Sequence, residues 1–333
     1  MEEMGLEIVP ETTVETAVEL AVRAEDNGFR NLWVTDHYNH HGVWPVLGAI
    51  AIRTNKILLG PGVTNPYTTN PCVIASSIAT IDDMSEGRAV LGLGAGDKST
   101  LESIGILRQK PITAVEEAVR IIRSLLGGER VSVKGSVFST RNARLNLGLD
   151  DSTCGIDIFV GAQGPQMLET ASMLSDGILL NASHPRDVKA ARSIVAETCR
   201  KTDRAMDSLT LACYSSFCLL DEDENIPLES KVVVAYIVAG SSRRVLERHD
   251  IDIAKKKTIK RSLHQGNYAS AAKKVTRKML DSFSVVGTSE ECISRMKELS
   301  NVGIDQFVVG SPIGSNKLAT IERIGNEIIP QLT

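Results

Sequence analysis

The sequence of 333 residues contains 37 Lys and Arg against 41 Asp and Glu, giving a formal net charge of −4, and 42% of its residues are hydrophobic. This composition is typical of a globular protein with room for one large domain or two. No block of positive charge offers a surface for nucleic acid, and no apolar run is long enough to span a membrane. Because the amino terminus is acidic where a signal peptide would be basic, we expect a cytoplasmic protein.

Short β-branched runs alternate with segments of helical periodicity from one end of the chain to the other. In the first half, strands are predicted at residues 4–10, 29–35, 56–63 and 88–93, and helices at 13–27, 43–54, 71–84 and 112–126. After the last of these helices, residues at about 128–150 have the pattern of a β-hairpin that interrupts the alternation. We therefore predict an insertion there.

In the second half, the alternation resumes. Strands are predicted at residues 156–160, 177–180, 209–220 and 306–309, and helices from about 185, at 289–301 and from about 316. Residues at about 222–283 form a second insertion, which is mostly helical and rich in Lys and Arg. Eight strands that are each followed by a helix predict an α/β protein, a (β/α)₈ TIM barrel that forms a single domain over 1–333. A doubly wound open sheet is the alternative, and the count of eight favours the barrel.

Polar residues cluster where the predicted strands end. In a TIM barrel these ends meet on one face and form the active site. The residues concerned are Glu7 on strand one, Thr35, Asp36 and His37 after strand two, Thr64 and Asn65 after strand three, Asp97 after strand four, Gly161, Ala162, Gln163 and Gly164 after strand five, and Asn181, Ala182 and Ser183 after strand six. The sequence therefore predicts one polar site built from several strands.

Glu7 is the most informative of these residues, because it lies between two apolar residues on a barrel strand and must face the lumen or the helix layer. Neither environment is exposed to solvent, and removal from water favours the neutral form of a carboxyl group. Glu7 is therefore expected to be protonated near neutral pH and suited to act as a general acid. A structural carboxylate paired with a cation in the lumen is the alternative.

Three other segments can be compared with known ligand-binding patterns. Residues 36–41 bring Asp and His close together, but adjacent side chains of an extended segment point apart, so a polar loop is favoured over a metal site. Residues 92–97, GLGAGD, lack the GxGxxG spacing and the position of a dinucleotide-binding loop. Residues 161–165, GAQGP, place a glycine-rich turn before a helix with Pro165 in its first turn, which suits a phosphate group or an ordinary tight turn.

The six cysteines are scattered without a CxxC pair, which favours reduced thiols over a zinc site.

Several of these segments together resemble the luciferase-like flavin and deazaflavin enzymes. They include GLEIVP at 5–10, TDHYN at 35–39, LGPGVTNPY at 59–67, GRAVLGLGAGDK at 87–98, VGAQGP at 160–165, LLNAS at 179–183 and VVGSPIG at 308–314. Within this superfamily they resemble the methylenetetrahydromethanopterin reductases of methanogenic and related archaea. The resemblance spans the whole chain, and it includes the segment VVVAYIVAGSSRRVLERHDID in the second insertion.

The resemblance implies roles for individual residues. A non-prolyl cis peptide between Gly62 and Val63 would support one face of a deazaflavin ring. Asp36, His37, Thr64 and Asn65 would line that ring, and the phosphate-bearing tail would be held by Gly161, Ala162, Gln163, Gly164, Ala182 and Ser183. Glu7 and Asp97 would face a pterin substrate as catalytic residues, with Glu7 as the acid. No metal is implied.

The reaction implied by the resemblance is transfer of a hydride from reduced coenzyme F420, a dissociable cosubstrate, to methylenetetrahydromethanopterin in one-carbon metabolism. Such enzymes are homodimers or homotetramers, and the apolar residues 232–238 would suit an interface or a core. Another luciferase-like oxidoreductase that uses F420 or FMN is the alternative within enzymes. A non-catalytic flavin-binding barrel is the alternative from another class.

Overall fold

The computed structural model describes residues 3–147, 155–222 and 224–332. The end of the predicted first insertion, residues 148–150, and Cys154 lie outside these ranges. The strands among the described residues are β1 (Glu3–Ile8), β2 (Asn31–Val34), β3 (Leu58–Pro61), β4 (Leu91–Leu93), β5 (Val131–Lys134), β6 (Ser139–Ala143), β7 (Ile158–Gly161), β8 (Gly177–Asn181), β9 (Thr210–Leu219), β10 (Ser284–Gly287) and β11 (Gln306–Ile313).

Eight of these strands form a parallel barrel. Their order around the sheet is β3, β2, β1, β11, β9, β8, β7 and β4. Parallel bridges from Leu59 to Ala89 and from Thr64 to Leu93 join the two ends, at β3 and β4. Because these bridges bring the two edges together, the sheet is closed, and the predicted TIM barrel is confirmed over the open-sheet alternative.

Helices follow the strands and cover the outside of the barrel, and the helices between β9 and β10 also enclose a second apolar cluster of their own. They are α1 (Val14–Asp26), α2 (Val43–Ala51), α3 (Pro71–Met84), α4 (Lys98–Ser103), α5 (Pro111–Leu126), α6 (Pro165–Leu174), α7 (Pro185–Lys201), α8 (Leu228–Gly240), α9 (Arg243–Arg248), α10 (Ile253–His264), α11 (Tyr268–Lys273), α12 (Arg277–Phe283), α13 (Ser289–Asn301) and α14 (Lys317–Arg323). A π-helical turn, Ile324–Ile328, continues α14. No helix of the described residues combines the length and the apolar character that a membrane crossing requires.

The helix starts follow from local sequence. Thr13 accepts a hydrogen bond from the backbone N–H of Thr16 and caps α1, and Asn70 caps α3 ahead of Pro71. Thr288 and Glu291 form a reciprocal capping box at the start of α13. Each cap satisfies backbone N–H groups that have no partner inside the helix, which is why these starts are visible in the sequence.

Two elements depart from the prediction. β10 was not predicted; it pairs in parallel with the end of β9, outside the path of the barrel. It follows α12 directly, so its four residues look like the end of the helical insertion. The six-residue helix α4 was also missed, because Asp97 at its start resembles an ordinary loop carboxylate.

The interior of the barrel is filled by an apolar layer beneath the carboxyl ends of the strands. This lumen core is formed by Trp33, Val90, Phe159, Leu179, Ala212 and Val308. The rings of Trp33 and Phe159 meet edge to face with their centroids 5.3 Å apart. The Trp33 indole N–H donates a hydrogen bond of 3.2 Å to Gln306 Oε1. The lumen is thus closed from below, and ligands have access only to the opposite end.

Candidate active site

A cavity of about 750 Å³ lies at the carboxyl ends of the barrel strands. Most of the residues predicted from the sequence line it: Glu7, Asp36, His37, Gly62, Val63, Asn65, Asp97, Gly161, Ala162, Gln163 and Gly164. Three predicted residues do not line it: Thr64, Ala182 and Ser183. The structure therefore brings side chains from distant parts of the sequence into one site, as a TIM barrel requires.

Glu7 lies at the inner end of this cavity, on the lumen side of β1, and is half-buried. Its Oε2 accepts a short hydrogen bond of 2.5 Å from the backbone N–H of Ser311 on β11. Among the described residues, no ion pair joins Glu7 to a Lys, Arg or His side chain. The structure therefore does not contain the alternative arrangement, in which a cationic side chain in the lumen neutralises the Glu7 carboxylate.

Asp97 has a different environment, because it caps α4. Its Oδ1 accepts hydrogen bonds from Ser99 Oγ at 2.6 Å, from Thr100 N at 2.8 Å and from Thr100 Oγ1 at 2.9 Å. Burial opposes ionisation, but these donors and the charge of Arg108 outweigh it and lower the pKa of Asp97. Asp97 is therefore a fixed negative charge at neutral pH, whereas Glu7 has a single backbone donor.

The corner after β3 forms one wall of the cavity. The peptide bond between Gly62 and Val63 is cis. The Val63 side chain lies over the neighbouring strand ends: a Cβ added at Gly94 would be 2.6 Å from Val63 Cγ2, and one at Gly161 would be 3.5 Å from Val63 Cγ1. Because glycine stands at these positions, Val63 forms a smooth apolar surface facing the cavity.

Asp36 and Thr64 connect the ends of β2 and β3. Thr64 is fully buried, and its Oγ1 donates a hydrogen bond of 2.6 Å to Asp36 Oδ2. Thr64 thus holds the Asp36 carboxylate at the edge of the cavity and does not face the cavity itself. His37, the next residue, is exposed at the cavity mouth.

The opposite wall is formed by residues 161–164 and the start of α6. Gly164 at the N-cap has no side chain to accept hydrogen bonds from the first turn, and Pro165 follows it. A Cβ added at Gly164 would have no atom within 4 Å. The backbone at this helix start is therefore open, which suits an anionic group.

Ala182 and Ser183 line a neighbouring cavity of about 220 Å³, which shares Gln163 and Gly164 with the larger one. Both residues are buried, and the Ser183 hydroxyl accepts a hydrogen bond of 2.6 Å from Ser215 Oγ. Their role in holding a phosphate-bearing tail stays a prediction.

Sequence reasoning about the site missed several polar lining residues, namely Tyr38, Thr68, Thr69, Thr100, Arg108 and Tyr214. Thr35 and Asn181, which the strand ends indicate without giving them a role, also line the cavity. Tyr214 lies in the middle of the ten-residue strand β9, whose sequence does not reveal which side chains face the lumen. Only the register of the neighbouring strands could have identified it. Arg108 lies in an irregular segment between α4 and α5, where sequence gives no signal.

A closed parallel barrel with a large polar cavity at the carboxyl ends of its strands is the architecture of a TIM-barrel enzyme. A family model described as luciferase-like monooxygenase matches residues 3–306. The chain belongs to this luciferase-like family.

Individual relatives show which members of the luciferase-like family the chain is similar to. The chain is 42% identical over 332 residues to a 5,10-methylenetetrahydromethanopterin reductase of Archaeoglobus fulgidus, covering 98% of this chain and 99% of the relative. A solved structure, the coenzyme F420 dependent tetrahydromethanopterin reductase of Methanopyrus kandleri, superposes with a TM-score of 0.93 at 37% identity and 100% coverage of both chains. An F420-dependent glucose-6-phosphate dehydrogenase of Beutenbergia cavernae is 26% identical, covering 93% of this chain and 91% of the relative.

Proposed function

We propose that this protein is a coenzyme F420-dependent 5,10-methylenetetrahydromethanopterin reductase. It transfers a hydride from reduced F420 to 5,10-methylenetetrahydromethanopterin and gives 5-methyltetrahydromethanopterin, reversibly. The similarity to reductases of this name over the full chain supports the proposal. The structural observation that carries it is the position of Glu7, a carboxyl group on a barrel strand that lines a cavity large enough for two ring systems and forms no ion pair with any described residue.

The cavity suits a deazaflavin with a phosphate-bearing tail. Val63 and the glycines beneath it offer a flat apolar surface to one face of a ring, while Asp36 and Asn65 offer polar groups at its edge. The open backbone of residues 161–164 at the start of α6 suits the phosphate. When bound, reduced F420 supplies the hydride, so the protein contributes binding, orientation and proton transfer.

Glu7 is proposed as the general acid. The methylene carbon of the substrate bridges two nitrogens, and it accepts a hydride readily only after one C–N bond opens. Protonation of the leaving nitrogen promotes this opening, and Glu7 is the carboxyl group placed to provide that proton.

Asp97 is proposed to face the same substrate as an anion. Its charge would stabilise the positive charge that develops on the substrate when the ring opens, and its fixed position avoids reorganisation during the reaction. Asp36, His37 and Asn65 complete the ring site in this proposal, Thr64 holds the Asp36 carboxylate there, and Ala182 and Ser183 contact the tail. No metal ion has a part in it.

The remaining parts of the proposal concern the whole chain. We propose a single domain with two insertions, a cytoplasmic location, and a homodimer or homotetramer without nucleic-acid or membrane partners. One-carbon metabolism in archaea, in methanogenesis or its reverse, is the setting in which such a reductase acts.

A spectrophotometric assay tests the proposed function. Purified protein is mixed with reduced F420 and followed for oxidation of F420, with and without methylenetetrahydromethanopterin. Rapid oxidation that requires the pterin is expected. Parallel reactions replace reduced F420 with reduced FMN or NADPH, and a separate reaction mixes oxidised F420 with glucose 6-phosphate and follows reduction of F420. Reduction of F420 by glucose 6-phosphate, or turnover with FMN alone, would favour another luciferase-like oxidoreductase, and F420 binding without any turnover would favour a binding protein.

A further inference from the structure

The Tyr214 hydroxyl is an unpartnered group inside the site. Tyr214 lies on β9, packs against the lumen core and lines the same cavity as Glu7. Its Oη is buried, yet it makes no hydrogen bond of normal geometry with any described residue. A buried hydroxyl without a partner costs free energy, so its presence in a cavity points to a partner that is reached during function.

Glu7 is the group that Tyr214 faces. Burial, the charge of the neighbouring Glu7 carboxylate and its approach to the Tyr214 hydroxyl as a hydrogen-bond acceptor, short of normal geometry, raise the pKa of Tyr214 well above its ordinary value. Tyr214 therefore stays neutral at any working pH and acts toward Glu7 as a hydrogen-bond donor. The other charged or titratable side chains of the described residues that line the cavity are Asp36, His37, Tyr38, Asp97 and Arg108.

The strand between Glu7 and Tyr214 leaves space for such contact. β11 separates β1 from β9; Gly310 stands on it beside Glu7, one residue past the Leu6–Val309 pair, and Tyr214 of β9 pairs with Val308, two residues before Gly310. A Cβ at this position would lie 3.3 Å from Glu7 Oε2 and 2.5 Å from Ser215 O. Because no side chain fills this gap, the Glu7 carboxyl reaches across β11 toward β9. The Ser311 N–H holds Oε2, and no hydrogen bond of the described residues reaches Oε1.

We propose that Tyr214 is a positioning residue for Glu7. When ligands fill the cavity, the Tyr214 O–H donates a hydrogen bond to Glu7 Oε1, while the Ser311 N–H holds Oε2. The carboxyl group is then fixed from both sides and aimed at the substrate nitrogen, and its anion is stabilised once the proton has left. Tyr214 keeps its own proton throughout. This inference rests on the proposed function, because it assigns Glu7 the role of acid.

The test compares Tyr214→Phe, which removes only the hydroxyl, with the wild-type enzyme and with Tyr236→Phe. Tyr236 is an exposed tyrosine of α8, so the control makes the same chemical change away from the cavity. We expect Tyr214→Phe to lower kcat roughly tenfold and to leave the KM for reduced F420 within about twofold. Because the anion of Glu7 loses a donor, the fall of kcat at alkaline pH should move to higher pH by about half a unit or more.

A double mutant separates action through Glu7 from other roles. In a Glu7→Gln background, Tyr214→Phe should change kcat by less than roughly twofold, because the group it positions is absent. A tenfold loss in both backgrounds, or a lower melting temperature with an unchanged pH profile, would show a structural role and overturn the inference. If the wild type is active and the Tyr214→Phe variant is unaffected, the inference about Tyr214 is overturned while the proposed function stands. A wild type without F420 oxidation in the presence of the pterin would overturn the proposed function, and the inference would fall with it.

Discussion

Glu7 and Asp97 line one cavity but differ in what holds them. One oxygen of Asp97 accepts three hydrogen bonds from the first turn of α4, so its anion is stabilised. Glu7 receives one backbone donor, and it neighbours Tyr214, which packs against the apolar lumen core. Two carboxyl groups in such unequal surroundings are suited to different tasks, a proton donor and a fixed charge.

Replacing Glu7 with Gln should lower kcat by roughly a hundredfold to ten-thousandfold, because the acid is lost while the shape is kept. Binding of F420, measured by fluorescence titration, should stay within about twofold of the wild-type value. Glu11→Gln is the matched control, since Glu11 is exposed, pairs with Lys317 and lines no part of the cavity. Turnover of Glu7→Gln near the wild-type rate would exclude Glu7 as the acid.

Replacing Asp97 with Asn tests the charge separately from the helix cap. Asn also caps helices well, so the melting temperature should change by no more than about 2 °C. The lost charge should lower kcat/KM for the pterin roughly tenfold. Asp97→Ala removes both the charge and the helix cap, and it should in addition destabilise the fold by about 1 kcal/mol. An Asp97→Asn enzyme with unchanged kcat/KM would limit Asp97 to the capping of α4.

The helix starts are the elements that the sequence predicts best. The bounds of α3 and α13 agree with the prediction at both ends, since Asn70 and Thr288 supply caps that act within four residues. Strand ends are less predictable, because pairing partners from distant residues decide where a strand stops. β3 was predicted at 56–63 but extends only over Leu58–Pro61. Its pairing with β2 ends at the Val34–Pro61 pair.

His184 gives α7 a cap that is sensitive to pH. Its Nδ1 accepts a hydrogen bond of 3.1 Å from Arg186 N, which requires an unprotonated ring nitrogen. Burial, Arg295 and His249 lower the pKa of His184 to about 4. Since the unfolded chain binds this proton near pH 6.5 and the folded chain does not, the contribution of His184 to stability is lost as pH falls from about 6.5 toward 4.

The variant His184→Asn keeps a capping side chain but does not titrate. Its free energy of unfolding at pH 7.5 should lie within about 0.5 kcal/mol of the wild-type value. Between pH 6.5 and 4, the free energy of unfolding of the variant should fall by about 1 to 2 kcal/mol less than that of the wild type. This range allows for partial solvent screening of a half-buried ring. Urea unfolding at both pH values measures this difference. Equal acid sensitivity of the two proteins would place the titrating group elsewhere.

The barrel and the face that carries its site were predictable from the order of elements alone. Eight strand-like runs followed by helices define the closed sheet, and polar residues at the strand ends identify the active face. The sequence does not show which residues of a given strand reach the lumen. Tyr214 was missed for this reason.

Direct hydride transfer to the methylene carbon is the central claim about the whole molecule. The measurement that tests it uses reduced F420 carrying deuterium at both positions of C5 and methylenetetrahydromethanopterin in ordinary water, with mass analysis of the methyl product. We predict one deuterium in the methyl group, and none when unlabelled reduced F420 reacts in deuterated water. A methyl group that takes its hydrogen from the solvent, or a product without deuterium from the labelled cofactor, would contradict the account.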